Sequence, residues 1–69
     1  MTADEWLEAF AAEIGAEAPD EEATAALLDL AATAAHASER IAAPIACFMA
    51  GRDGRSVAEL KAAAERVAG

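Results

Sequence analysis

The stretch TADEWLEAFAAEIG, residues 2–15, decides the fold class, because it holds the start, the apolar face and the end of one helix. Its first four residues form a capping-box pattern, in which the Thr2 hydroxyl can accept from the Glu5 N–H and the Glu5 carboxylate can reach back. Gly15 can adopt the left-handed conformation that ends a helix. Apolar residues recur between these signals at helical spacing, at Trp6, Leu7, Phe10, Ala11 and Ile14. The stretch predicts an amphipathic helix over about residues 3–14.

The next stretch, PDEEATAALLDLAATAAHAS at residues 19–38, predicts a second and longer helix. Pro19 suits a first helical turn, and three acidic residues follow it. Neither Gly nor Pro interrupts residues 23–38. An apolar stripe, which Leu28 widens, runs along Leu27, Leu30, Ala31, Ala34 and either Ala35 or His36. Its alanines would let a neighbouring helix approach closely.

Pro44 determines how the middle of the chain is divided. Inside a helix, proline removes a hydrogen bond and clashes with the preceding turn, whereas in a first turn it costs little. We therefore predict a break near residues 38–41 and a third helix that starts near Ile41–Pro44. The alternative is one kinked helix over residues 20–51. The predicted inner face of the third helix is Ile41, Ile45, Phe48 and Met49.

The end of the chain predicts a turn and a fourth helix. The turn is Gly51-Arg52-Asp53-Gly54, and Ser56-Val57-Ala58-Glu59 is a second capping box. The apolar face of this helix is Val57, Leu60, Ala64 and Val67. The predicted fold is therefore all-α, a compact bundle of about four short helices that forms a single domain over residues 1–69.

The composition agrees with close-packed helices around a small core. Hydrophobic residues make up 57% of the 69 residues, and 23 residues are alanine, so only 16 larger apolar side chains remain. Strand-forming residues are scarce. The residues expected to be largely buried are Trp6, Leu7, Phe10, Leu27, Leu30, Ile45, Phe48 and Leu60.

The net charge of −8 argues against nucleic acid and against an anionic membrane surface as partners. Residues 1–22 carry eight acids and no base, whereas residues 23–69 carry five of each. The simpler interpretation is a solvated face, and the alternative is steering of a basic partner. We expect solvent exposure for Glu8, Glu13, Glu17, Glu21 and Glu22.

The cytoplasm is the expected location of the chain. Acidic residues stand where a secretion signal would have basic ones. The longest uncharged run, Ile41–Gly51, has 11 residues, too few for a bilayer span. Cys47 is the single cysteine, so no internal disulfide can form.

Residues for catalysis and for cofactor binding are scarce, and the sequence predicts that the protein is not an enzyme and holds no cofactor. The serine that follows aspartate in an acyl carrier protein has no counterpart here. One His and one Cys, His36 and Cys47, do not make a zinc site or a convincing nucleophile–base pair. Cys47 is expected to be a small buried apolar residue.

Two polar groups are the candidate contacts for a partner or a ligand. His36, Glu39 and Arg40 form the densest polar patch; its simpler interpretation is a hydrogen-bonded network at a helix end, and the alternative is a contact with a ligand or partner. Arg52 and Arg55, with the N–H groups that open the fourth helix, could hold an anion such as phosphate, or could belong to an ordinary polar turn.

The middle of the chain resembles a short helical domain of unknown function found in actinobacteria. The likeness spans about residues 4–54, and the His, Glu-Arg and Ala-Pro positions are its most specific signature. The matching segments are Trp6-Leu7 with Phe10, Leu27-Leu28-Asp29-Leu30-Ala31, Ala35-His36, Glu39-Arg40, Ala42-Ala43-Pro44-Ile45 and Phe48-Met49-Ala50-Gly51. The resemblance implies a domain that occurs alone or joined to a nucleotidyltransferase similar to the molybdenum cofactor guanylyltransferase. The glycine-rich nucleotide loop of that enzyme is absent, so guanylyl transfer is not implied.

Two functions from different classes follow. The first is a non-catalytic accessory or interaction domain, whose protein partner would be a cofactor-assembling nucleotidyltransferase by resemblance. The second is a small-ligand or nucleotide-binding module that uses His36, Arg40 and the Arg52–Arg55 turn. A homodimer is a further expectation, because a core this small is marginal alone.

Overall fold

A computed structural model describes residues 1–69 as four helices and no strand. The helices are α1 (Ala3–Ile14), α2 (Glu21–Ala37), α3 (Ala42–Asp53) and α4 (Val57–Ala68), which together hold 77% of the residues. The prediction of an all-α bundle of four short helices is confirmed. None of the four helices has the length and apolar character that a membrane span requires.

The predicted helix signals act at both ends of α1 and at the start of α4. In α1, the Glu5 N–H donates to Thr2 Oγ1 at 3.1 Å and the Thr2 N–H donates to Glu5 Oε1 at 2.8 Å. Gly15 ends this helix in the left-handed conformation, with φ 71°. Ser56 caps α4, and the Glu59 N–H donates to Ser56 Oγ at 3.2 Å. These local hydrogen bonds satisfy donors that the first turn of a helix leaves free.

Each of the two prolines lies near the start of a helix, Pro19 just before α2 and Pro44 just inside α3. Pro19 lies before α2 rather than in its first turn, because Asp20 is the cap and accepts from the Ala23 N–H at 2.8 Å. Pro44 lies in the first turn of α3. The residues between α2 and α3 interrupt the helix, so two separate helices replace the alternative of one kinked helix.

The bundle is organised around α2, which packs against both α3 and α4. The predicted α2 stripe faces these neighbours, and Leu30 in its middle is only 4% exposed. In contrast, α3 and α4 do not pack along each other, and α1 does not pack along any other helix. The result is a three-helix core with an opening between α3 and α4.

The predicted core was wrong for five of its eight members. Leu30 is buried, and Leu27 and Leu60 are partly buried. The other five, all exposed, are Trp6, Leu7, Phe10, Ile45 and Phe48. For α1, the physical reason is that the chain buries only Ala11 of its apolar face, and no helix packs along the rest of that face.

The predicted inner face of α3 lies outside for a different reason. The partly buried residues of this helix are its small ones, Ala42, Ala43, Ala46, Cys47 and Ala50. Small side chains allow two helix axes to approach closely. The helix therefore packs through its small side chains, and its larger apolar residues face solvent. In α4, Val67 is also exposed, contrary to prediction.

Candidate interaction surface

The outer side of α3 carries an apolar patch that we call the α3 face, formed by Ile41, Ile45 and Phe48. Each of these side chains is more than 60% exposed. The guanidinium carbon of Arg52 lies 5.4 Å from the centre of the Phe48 ring, at cation–π distance. Arg40 precedes the patch. The combined charge of the two arginines, Arg40 and Arg52, exceeds the negative charge of the nearby Glu39. The α3 face is therefore apolar and locally basic, in a chain that is acidic overall.

An apolar groove of about 520 Å³ runs between α3 and α4. Leu30 and Ala34 of α2 line it, together with Ala46 and Met49 of α3 and Leu60 and Ala64 of α4. Sequence reasoning missed this groove. Each helix showed its own apolar residues, but no sequence pattern indicated that α3 and α4 would stand apart.

The predicted polar patch at the end of α2 is not a network. His36, Glu39 and Arg40 are all exposed, and none of their side chains forms a hydrogen bond or an ion pair. The carbonyls of Glu39 and Arg40 instead accept from the N–H groups of Ala42 and Ala43, at 2.9 and 3.2 Å. These three side chains are free to meet a partner.

In the turn before α4, Arg55 is bound to Asp53 and is therefore not free to hold an anion. Arg55 donates to the two carboxylate oxygens of Asp53, from Nε at 2.7 Å and from Nη2 at 2.9 Å. The Glu59 carboxylate accepts from Ser56 at the helix start. Arg52 lies over Phe48 and not beside Arg55. The two predicted arginines therefore do not converge, and Asp53 is the contributor that sequence reasoning missed.

The Asp53–Arg55 pair changes the pKa of the carboxyl group. Hydrogen bonds from the side chain and the backbone N–H of Arg55 lower the pKa of Asp53 to about 2. The same pair raises the pKa of Arg55. In α1, hydrogen bonds from Thr2 lower the pKa of Glu5. Each shift favours the charged form of its group.

We expect the carboxyl of Asp53 to titrate with a midpoint at about pH 2 in the unmodified protein. Because its pKa is lowered on folding, the contribution of the pair is complete above about pH 4 and is lost as the pH falls through 2. Arg55→Ala should return the midpoint towards about 3.9. Carbon-13 NMR of the Asp53 carboxyl carbon measures the midpoint in both the unmodified protein and the Arg55→Ala protein. Arg52→Ala is the control and should leave the midpoint unchanged; a midpoint near 3.9 before any substitution contradicts the prediction.

The remaining chemical candidates are dispersed. Cys47 is partly buried against α2, with Sγ 3.9 Å from the carbonyl oxygen of Leu27. No three side chains among His, Cys, Asp and Glu converge as they would around a metal ion. The five predicted exposed acids, from Glu8 to Glu22, do project into solvent. The features that stand out are thus the α3 face, the groove and the exposed side of α1.

These features define a class: a small all-α domain with exposed apolar surfaces. The chain belongs to the family described as a domain of unknown function, DUF6457, whose family model matches residues 1–69. No curated protein and no solved structure matches it.

Proposed function

We propose that this domain is a non-catalytic interaction module that docks a partner protein through the α3 face. The observation that carries the proposal is the solvent exposure of Ile41, Ile45 and Phe48 on one side of α3. Contiguous exposed apolar patches with a polar rim are typical of protein-binding sites. Aromatic residues and arginine, here Phe48 and Arg52, are also enriched at such interfaces.

The charge of the α3 face selects the chemistry of the partner. Arg40 and Arg52 favour a partner whose apolar patch is flanked by acidic side chains. Asp53, the one carboxylate of α3, is already paired with Arg55 and does not offset them. The candidate contacts at the rim of the interface are His36, Arg40 and Arg52. Glu39 would repel an acidic side chain of the partner that lay next to it.

The resemblance supplies a candidate for the partner. It points to a nucleotidyltransferase of molybdenum cofactor assembly, either as a separate protein or on the same polypeptide. The proposed role is therefore accessory: the domain binds this enzyme and leaves nucleotide chemistry to it. The chain offers no phosphate loop and no nucleophile–base pair for that chemistry.

Binding of the purified nucleotidyltransferase, measured by titration calorimetry, tests the proposal. Phe48→Glu should weaken the complex at least tenfold, because it puts a charge at the centre of the apolar patch. Phe48 is 63% exposed, so this substitution should leave the fold intact. Ala62→Glu is the matched control, since it adds the same charge at an exposed position of α4 and should not change the affinity.

Two results would contradict the proposed function. One is equal affinity of the Phe48→Glu and Ala62→Glu proteins for the enzyme. The other is a thermal shift of the isolated domain with GTP, molybdate or a pterin, since a ligand at 100 times its Kd stabilises by about 2.7 kcal/mol. That second result would favour the ligand-binding module instead.

A further inference from the structure

The apolar face of α1 is buried by the rest of the chain only at Ala11. Trp6, Leu7, Phe10 and Ile14 lie on this side and are 42 to 58% exposed. The rings of Trp6 and Phe10 stack at 5.1 Å, which leaves one broad apolar surface. A helix of 12 residues is marginal by itself in water, so α1 gains stability from any surface that covers this face.

The groove between α3 and α4 could accommodate an amphipathic helix such as α1. Three helices enclose it on the floor and on two sides, which is the arrangement of a four-helix bundle with one member missing. The α1 of the same chain does not fill it. That helix lies beside the first half of α2, where Leu7 and Leu28 line a common depression. The groove begins at Leu30 and continues to Ser38 at the other end of α2.

We propose that two copies of this chain form a two-fold symmetric dimer in which α1 of each copy occupies the groove between α3 and α4 of the other. The contact is reciprocal, so the assembly stops at two chains. Both α1 helices are then covered and both grooves are occupied. The α3 face adjoins the groove at Ala46 and Met49, and this inference does not depend on the proposed partner enzyme.

Charge repulsion disfavours a contact between two α1 helices and so favours this pairing. Residues 1–22 carry eight acids and no base, whereas residues 40–69 carry five bases and three acids. Two α1 helices face to face would bring their acids together. Placing α1 in the groove of the other copy avoids this repulsion, because the two charged residues that line the groove, Asp53 and Arg55, are paired with each other.

The surface area of the chain is sufficient for such a contact. The accessible surface is 5396 Å², whereas a folded monomer of 7.0 kDa exposes about 4,000 Å². The excess, roughly 1,350 Å², is larger than the about 800 Å² that each partner buries in an interface of standard size. The chain therefore has enough surface to cover α1 and the groove in a dimer of standard interface size.

Analytical ultracentrifugation of the full chain tests the association. The unmodified chain should sediment as a dimer at tens of micromolar. Phe10→Glu on α1 and Met49→Glu in the groove should each convert it to a monomer, although the two residues lie on different helices. The matched controls are Ala12→Glu, on the opposite side of α1, and Ala62→Glu, outside the groove. Both add the same charge and should remain dimeric.

Chemical cross-linking tests which surfaces meet. One chain carries Phe10→Cys and another carries Met49→Cys, each in a Cys47→Ala background, and a short bis-maleimide is added to the mixture. The two different chains should be linked to each other in high yield. Neither chain should link efficiently to a copy of itself.

Three outcomes would overturn the inference. The first is sedimentation of the unmodified chain as a monomer at tens of micromolar. The second is a Met49→Glu protein that remains dimeric while the Phe10→Glu protein does not, which would indicate a contact between two α1 helices. The third is efficient linkage of the Phe10→Cys chain to itself, which also indicates an α1–α1 contact and does not depend on either charged variant being folded.

Discussion

Leu30→Ala is expected to unfold a large fraction of the molecules. Leu30 is 4% exposed and lies where α2 meets the rest of the bundle, so its truncation leaves a cavity that the rigid neighbours fill only in part. Such changes cost about 2–5 kcal/mol. A domain of 69 residues has a total stability of only about 3–10 kcal/mol. Urea denaturation followed by circular dichroism measures the loss.

Leu28 provides the matched control on the same helix. It is the same residue type two positions away, but it is 67% exposed. Leu28→Ala removes the same atoms from a side chain that water already reaches, and it should cost less than about 1 kcal/mol. Equal losses for the two variants would show that α2 does not have a buried side at Leu30.

The second large effect concerns stability: replacing Gly51 and Gly54 by alanine should change the free energy of unfolding in opposite directions. Gly51 lies within α3, where alanine is favoured over glycine by about 0.5–1 kcal/mol, so Gly51→Ala should stabilise the protein. Gly54 ends α3 in the left-handed conformation at φ 92°. Gly54→Ala should destabilise it by about 1–2 kcal/mol.

The comparison isolates the backbone, because a β-carbon at either position would meet open space. Both variants should be measured against the unmodified protein by denaturation at one fixed protein concentration, since association would otherwise change the apparent stability. A Gly54→Ala protein as stable as the Gly51→Ala protein would contradict the left-handed cap.

The limits of the helices were predictable because the signals that set them are local. Thr2, Ser56 and Gly15 act on residues within four positions of themselves, and each does so as its sequence context predicted. There were two exceptions. Residues 51–53 were predicted to lie in a turn, but they continue α3, which ends at Gly54. The other exception was Pro19. Proline suits a first turn, but Asp20 is the better cap because its carboxylate accepts from the Ala23 N–H. The helix therefore starts one residue after that aspartate.

The candidate site was predictable only in part. The sequence singled out Arg52 and Arg55, but not their neighbours in space: Arg52 lies over Phe48, and Arg55 is bound to Asp53. The exposure of His36 and Arg40 was likewise one of two open interpretations. Which pairs form depends on the direction of each side chain in the turn, and the residue types alone do not specify that direction.

By itself, the sequence determined the fold class, the four helices, the capping boxes of α1 and α4 and the side of each helix that is apolar, because these follow from interactions between residues close in the chain. Only the tertiary structure decided which apolar sides are covered. In α3, alanines and Cys47 pack against α2, since small side chains let the helices approach, and Phe48 is left outside. In α1, Trp6 and Phe10 form an apolar side as clear as that of α2, but no helix of the same chain packs along it. Periodicity records that a side is apolar, whereas burial requires a second surface at the right place.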